Sequence, residues 1–228
     1  MIKINTEHPI AYDSPDHILP WGTMRDNSTN EDFINQTEQW FNNEKFSVLD
    51  IGCSGGQMIV DYHNRGHLAI GVEGSDYSVK HQRANWPAFH NKNLFTADAT
   101  KPFSFEWITK DPIKFDLITA WELIEHIHPN DLNALFKNIY NNLKPNGIFV
   151  ASISTKEDVI DGVVLHQSVF QQHNWLFDIL TEDAAFKDTD LEWFPYPFSA
   201  AVRADGGSFH IGVKHKQIVD GEVNNNNE

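Results

Sequence analysis

The stretch Ser47-Val48-Leu49-Asp50-Ile51-Gly52-Cys53-Ser54-Gly55-Gly56 constrains this chain more than any other. Phe46 to Ile51 is apolar and rich in β-branched residues, broken only by Ser47 and one acid. That composition fits a short parallel strand buried on both faces. Three glycines follow within five residues, where a backbone must turn sharply and lie close to something. Gln57 to Tyr62 then carries apolar residues at helical spacing. Strand, glycine turn and helix together aim backbone N–H groups and a helix N-terminus at a ligand. An ordinary tight βα turn has the same outline, so the neighbouring motifs decide what this one is for.

Further elements follow in alternation. An apolar period over Asn30–Asn43 predicts a helix, with Ser28 or Asn30 as its cap. A helix over 56–65 ends at Gly66, a suitable C′ residue. Strands are expected at His67–Glu73, Asn93–Asp98, Ile113–Ala120 and Ile148–Ile153, with shorter ones near Leu191–Phe194 and Ser208–Val213. Helices are expected from a turn at Gly74–Asp76 through 80–85, over Asn130–Leu143, where Leu132, Leu135, Phe136, Ile139, Tyr140 and Leu143 form one stripe, and over Ser168–Leu180. Lys144-Pro145-Asn146-Gly147 reads as a break, and 101–112, with Pro102 and Pro112, as a loop. The pattern predicts an α/β fold: a single doubly wound, mostly parallel seven-stranded sheet with helices on both faces and ligands at the carboxyl ends of its strands.

Residues 1–29 hold Pro9, Pro15 and Pro20 and show no clear period, so they are expected to form an irregular arm or lid, with Trp21 to Arg25 its stickiest part. Residues 30–215 are expected to form the catalytic domain and 216–228, with four consecutive asparagines, a flexible tail. The formal charge is −15, from 32 acids against 17 bases, with no basic cluster. A surface this acidic repels a phosphate backbone, which disfavours nucleic acid as a partner. No apolar run is long enough to span a membrane and the N-terminus lacks a signal-peptide core. Cys53 is the only cysteine, so no intrachain disulfide forms and the cytoplasm is the expected compartment.

A dinucleotide fingerprint needs G-x-G-x-x-G, and Gly52-Cys53-Ser54-Gly55-Gly56 does not supply it. A nicotinamide-dependent oxidoreductase is therefore disfavoured. Asp50-Ile51-Gly52-Cys53-Ser54-Gly55-Gly56 instead resembles the first motif of class I S-adenosylmethionine-dependent methyltransferases, D-x-G-x-G-x-G, with Ser54 where the family usually has its middle glycine. Glu73, 23 residues after Asp50, ends the second strand, where the family holds both ribose hydroxyls with an acid. A carboxylate can accept both hydrogen bonds of a cis diol. Asp98-Ala99 matches the adenine-binding position, Phe115 to Ile127 the fourth motif, and Leu143 to Gly147 the helix-to-strand loop before the fifth strand. The resemblance covers about residues 46–153 and implies S-adenosyl-L-methionine as cofactor. It places Asp50, Gly52, Ser54, Gly55, Gly56, Glu73, Gly74, Asp98, Ala99, Ala120 and Trp121 around that cofactor. From the residues alone, Asp50 equally fits a brace for the turn, Asp98 a local cap, and Trp86 and Trp121 core side chains.

Glu122, Glu125 and His126 follow the fourth strand at i, i+3 and i+4, so a helical turn would put all three on one face. Two carboxylates and an imidazole can hold a divalent cation, Mg or Zn, or His126 can act as general base towards an acceptor hydroxyl. Glu-x-x-Glu-His also resembles the motif of small-molecule and RNA-terminal 2′-hydroxyl O-methyltransferases in which these residues bind a cation with a later histidine, and of family members in which the motif binds no metal and helps pack the core. Here that histidine would be His166, ahead of His173 and His128. The expected reaction is O-methylation of a hydroxyl on a small molecule or sugar, with the arm and 154–180 as acceptor lid. A catalytically inactive S-adenosylmethionine-binding module is the alternative. The sequence leaves the acceptor and the oligomeric state open.

Overall fold

A computed structural model describes residues 1–203 and 207–217. The tail expected over 216–228 lies almost wholly outside the described residues.

Strands β1 (Ile2–Thr6), β2 (Ser47–Ile51), β3 (Leu68–Glu73), β4 (Leu94–Thr96), β5 (Phe103–Trp107), β6 (Pro112–Ile113), β7 (Phe115–Trp121) and β8 (Leu143–Ser154) precede a small hairpin, β9 (Val159–Ile160) and β10 (Val163–Val164). β11 (Leu191–Pro195) and β12 (Ser208–His215) complete the set. Seven of them form one sheet in the order β11-β12-β8-β7-β2-β3-β4. β2 pairs parallel with both β3 and β7, β3 with β4, and β7 with β8. β12 runs antiparallel to β8 and to β11. The carboxyl ends of β2, β3 and β7 therefore open on one edge, where the chain has just made its sharpest turns.

The helices are α1 (Pro15–Ile18), α2 (Trp21–Arg25), α3 (Glu31–Trp40), α4 (Gln57–Asn64), α5 (Tyr77–Lys80), α6 (Trp86–Phe89), α7 (Leu132–Asn142) and α8 (Gln172–Asn174). Asn30 caps α3 by accepting the Phe33 N–H at 2.9 Å, the role its side chain suggests. Gly66, at φ +86°, takes the left-handed position after α4. Side-chain alternation divides the core between the two faces of the sheet. Val48, Leu117, Ile148 and Val150 pack with Phe33 and Ile34 of α3 and Met58, Ile59 and Tyr62 of α4. Leu49, Ile51, Ile118, Ala120, Phe149 and Ala151 pack with Leu135, Phe136 and Ile139 of α7. Successive residues of a strand point to opposite faces, so both sets come from the same strands.

Several expectations fail. The arm is not irregular: β1 pairs antiparallel with β5, and with β6 these make a separate three-stranded sheet. The region 101–112 is accordingly not a loop. Phe103-Ser104-Phe105-Glu106-Trp107 alternates aromatic with polar, the signature of a strand with one buried face, and Phe103 and Phe105 are buried while Ser104 is exposed. Lys144 to Gly147 does not break the chain but lies within β8. The helix expected over 168–180 shrinks to α8 and a π-turn at Trp175–Ile179, with Trp175 and Leu180 as its buried core residues.

Candidate active site

Register places the first acid. Asp50 of β2 stands level with Gly71 of β3 and Thr119 of β7, and the Thr119 hydroxyl donates to its Oδ1 at 2.6 Å. Asp50 is buried, and that burial raises its carboxyl to about 7 in spite of the Thr119 hydrogen bond. The hydrogen bond ties β2 to β7 one residue before the turn, and Asp50 does not line the cavity beyond it.

Past Ile51 the backbone leaves the sheet through three left-handed residues. Gly52 and Gly56 have φ near +81° and +83°, and Ser54 has φ +48°. A Cβ at Gly52 would sit 2.8 Å from Leu123 Cδ1, and one at Gly55 would collide with the Asn27 side chain. Serine tolerates this conformation because its groups are all engaged. Its N–H donates to Glu73 Oε2 at 2.8 Å, its hydroxyl donates to the Asp26 carbonyl at 2.8 Å, and its own carbonyl accepts from Trp86 Nε1 at 2.7 Å. These bonds hold the departure from the D-x-G-x-G-x-G pattern in place.

Glu73 ends β3 and is buried. Besides Ser54, its carboxylate accepts from the Ser75 N–H and the Thr23 hydroxyl, both at 3.3 Å. Desolvation raises its pKa, against the lowering effect of those donors. Asp98 Oδ1 accepts from the Thr100 N–H and hydroxyl at 2.8 and 2.7 Å. The local-cap role is therefore real, and the carboxyl still lines the cavity.

That cavity, of about 410 Å³, falls in the range of small-molecule sites. Of the residues expected at the cofactor, Gly52, Ser54, Glu73, Gly74, Asp98, Ala99 and Trp121 line it. Asp50, Gly55, Gly56 and Ala120 do not. Gly55 faces Asn27, Gly56 faces Leu94, and Ala120 belongs to the core behind the sheet. Trp121 does double duty, packing edge-on against Phe33 at 4.9 Å while touching the cavity.

Glu122, Glu125 and His126 do not share one helical face. Glu122 takes a left-handed φ of +49°, and the only helical turn here is a 3-10 turn at Ile124–His126. The kink sends Glu122 towards β12, where its Oε2 accepts from the Ser208 hydroxyl at 2.8 Å. Glu125 is fully buried, and its Oε1 accepts from the Ser154 N–H at 3.0 Å. Its backbone carbonyl accepts from the N–H groups of both Gln167 and Ser168 at 2.8 Å, which draws the segment after the β9–β10 hairpin against the site. His166 thereby arrives beside His126, with ring centroids 4.6 Å apart. Glu125, His126 and His166 each offer a ligand atom within 4.8 Å of the others. Glu122 is not in that group, His128 caps the following turn by accepting the Asn130 N–H, and His173 is exposed on α8.

Burial raises the Glu125 carboxyl, and Glu122 adds to this while His126 opposes it. Burial works to lower His126, but Asp16 foremost, with Glu125 and Asp158, more than offsets this and the net shift is upward. Asp16 belongs to the arm, and no motif singled it out. The arm also lines the cavity through Asp13, Ser14 and Thr23, and Lys101, Gln167 and Arg203 join from elsewhere. Ser14-Pro15-Asp16 carries a legible helix-start signature, a serine cap followed by proline and an acid. Nothing in it says which site the helix faces.

A buried acid-and-glycine cradle at the carboxyl edge of a mostly parallel seven-stranded sheet defines the class of S-adenosylmethionine-dependent methyltransferases. The family model described as methyltransferase domain matches residues 23–197, and the chain belongs to that family. Ubiquinone biosynthesis O-methyltransferase from Pelagibacter ubique (strain HTCC1062) is 30% identical over 112 residues, 49% of this chain and 43% of that protein. The match thus spans less than half of that relative's length. A S-adenosylmethionine-dependent methyltransferase from Clostridium acetobutylicum ATCC 824 superposes with a TM-score of 0.54 at 16% identity, covering 82% of this chain and 90% of its own. Magnesium protoporphyrin IX methyltransferase from Synechocystis PCC 6803, with bound SAH, gives a TM-score of 0.52 at 12% identity over 90% of this chain and 96% of its own. These two share the fold. No helix among the described residues is long and apolar enough to cross a membrane.

Proposed function

We propose that this methyltransferase transfers the S-adenosylmethionine methyl group to a hydroxyl oxygen of a small molecule or sugar, with His126 as the base facing the acceptor. One observation carries the reading: His126 lines the same cavity as Gly52, Ser54 and Glu73, so cofactor and acceptor ends meet in one enclosure. Methyl transfer from a sulfonium is an in-line displacement and needs alignment and an unprotonated acceptor above all. In this reading Glu73 accepts from the ribose hydroxyls, Asp98 and Ala99 border the adenine, Gly52, Ser54 and Gly74 approach the cofactor backbone, and Trp121 walls the methionine side. Imidazole takes the hydroxyl proton as oxygen attacks the methyl carbon and the C–S bond breaks, leaving S-adenosylhomocysteine.

Six carboxylates line the cavity, Asp13, Asp16, Glu73, Asp98, Glu122 and Asp131, against Lys101 and Arg203. This balance favours the sulfonium cofactor and an uncharged acceptor over a nucleic acid. The name of the Pelagibacter relative supports oxygen as the methyl-accepting atom. Arm residues 1–29 act as lid with the 154–180 segment in this account, 30–215 are the methyltransferase domain, and the sheet is doubly wound, as α3 and α4 against one face and α7 against the other suggest. The buried thiol of Cys53 is compatible with a cytoplasmic setting.

A second reading rests on Glu125, whose buried Oε2 has no hydrogen-bond partner. With His126 and His166 it fits a divalent cation, and two imidazoles beside one carboxylate suit Zn better than Mg. Such an ion would lower the pKa of an acceptor hydroxyl.

Both readings are tested by following label from methyl-tritiated S-adenosylmethionine into a panel of catechol, phenol and sugar hydroxyls. We expect transfer to at least one class, loss of about 10²–10⁴-fold in His126→Gln, and S-adenosylmethionine binding unchanged in that variant. Activity that survives chelator and His166→Ala favours the base without the ion. Full activity in His126→Gln would refute the role of His126.

A further inference from the structure

Residues 11–26 of the arm reach both ends of the cavity. At the cofactor end the Ala11 N–H donates to the Gly74 carbonyl at 2.9 Å, the Thr23 hydroxyl donates to Glu73, and the Asp26 carbonyl accepts from the Ser54 hydroxyl. Arg203 and Arg83 clamp Asp26 from two further directions, through its carboxylate and its carbonyl. At the acceptor end Asp16 reaches the imidazole. Asp16 Oδ2 lies 2.9 Å from His126 Nδ1, an ion-pair approach rather than an aligned hydrogen bond. The Ser14 side chain fixes Asp16 from behind by accepting its N–H at 3.2 Å, so one capped turn of helix aims the carboxylate at the imidazole.

An imidazole has two nitrogens, and a base must present the unprotonated one to its substrate. A carboxylate beside Nδ1 stabilises a proton there by its charge, even without an aligned hydrogen bond, and leaves the Nε2 lone pair free. Asp16 and His126 stand in that relation, although they are 110 residues apart in sequence. His166 shows the same device by another route: its Nδ1 lies 2.6 Å from the Lys156 carbonyl, which can only accept, so its proton sits there too.

We infer that Asp16 is the positioning residue of this site, holding His126 as the Nδ1–H tautomer with Nε2 towards the acceptor, so that the catalytic imidazole is oriented only when the arm is seated on the cofactor end. This rests on the reading of His126 as the acceptor-facing group. Asp16 itself touches neither cofactor nor acceptor in this role. Its effect is carried by orientation, as for a carboxylate that backs a catalytic or metal-bound histidine.

The test is ¹⁵N NMR of the imidazoles in the full chain, kept in chelator at a pH where they are neutral, with His126 assigned by the signal missing from His126→Gln. Wild type is expected to show His126 protonated on Nδ1, and Asp16→Ala to shift it towards the Nε2–H tautomer while the other histidines stay put. Near-UV circular dichroism of Asp16→Ala is expected to match wild type, showing that the variant is folded. An Nε2–H tautomer in wild type overturns the inference without any variant, so a misfolded Asp16→Ala does not shield it. An unchanged His126 signal in a folded Asp16→Ala overturns it as well. Failure of methyl transfer to every hydroxyl would instead defeat the proposed reaction, a separate measurement that leaves the tautomer result standing.

Discussion

In the proposed function two side chains set the chemistry of the cofactor end, Glu73 and Ser54. Glu73 is buried with a raised pKa, and only its carboxylate form can accept two diol protons. S-adenosylmethionine affinity should therefore be full above that raised pKa and fall as pH drops through it, at a higher pH than an ordinary carboxylate near 4.3 would give. Calorimetry across pH, with Glu73→Gln as the pH-insensitive control, checks this. Asp50, raised to about 7 by burial, lies outside the cavity and contributes less. Ser54→Ala removes the hydroxyl that donates to the Asp26 carbonyl. It should cost about 1 kcal/mol in urea unfolding and loosen the arm, whereas an unchanged midpoint would mean that water replaces the hydroxyl at no cost. That Glu73 and Asp98 line the cavity was legible because a strand end followed by an acid is a local pattern. Asp16 and Arg203 were not, because their relevance comes from contacts that span the whole chain.

Asp116 shows how the elements are locked in register. At the start of β7 its carboxylate accepts from the Ser47 N–H and hydroxyl and from Lys144, all at 2.8 Å, joining β2, β7 and β8. Burial pushes its pKa up, but Lys144 and Ser47 outweigh this and the net shift is downward. The stability it contributes should be present above the unfolded carboxylate value of about 3.9 and lost as pH falls through the lowered one. Asp116→Asn should cost about 1.5 kcal/mol at neutral pH, the low end for hydrogen bonds to a charged group because Lys144 is partly exposed. The difference from wild type should shrink in acid, as denaturant midpoints at the two pH values would show. A constant difference would mean that the carboxylate charge is not what matters. At this scale the sequence was most legible where period and length agree, in β2, β3, β7 and α7. It misled where prolines outweighed pattern. Ile2-Lys3-Ile4-Asn5-Thr6 and Phe103 to Trp107 both alternate with period two, yet the prolines nearby suggested loops. Asp161-Gly162, both at positive φ, is a two-residue hairpin turn. That hairpin is what delivers His166.

Across the molecule, the parallel strands set out a common edge and three separate stretches complete it: the glycine turn after β2, the kinked segment after β7, and the arm. Motif order foretold where the first two lie, although the segment after β7 is kinked and not the shared helical face expected. The third depends on how 29 N-terminal residues dock, and docking is a property of surfaces rather than of patterns. The proposed function requires the turn at Gly52–Gly56 and the acid at the end of β3 to hold an adenosyl cofactor together. It is tested most directly by isothermal calorimetry of S-adenosylmethionine, S-adenosylhomocysteine and NAD on wild type and Glu73→Ala. We expect wild type to bind the two sulfur compounds and not NAD, and Glu73→Ala to bind them roughly 10- to 150-fold more weakly, the worth of lost hydrogen bonds to a charged group. Binding of NAD alone, or undiminished binding of S-adenosylmethionine by Glu73→Ala, would contradict it.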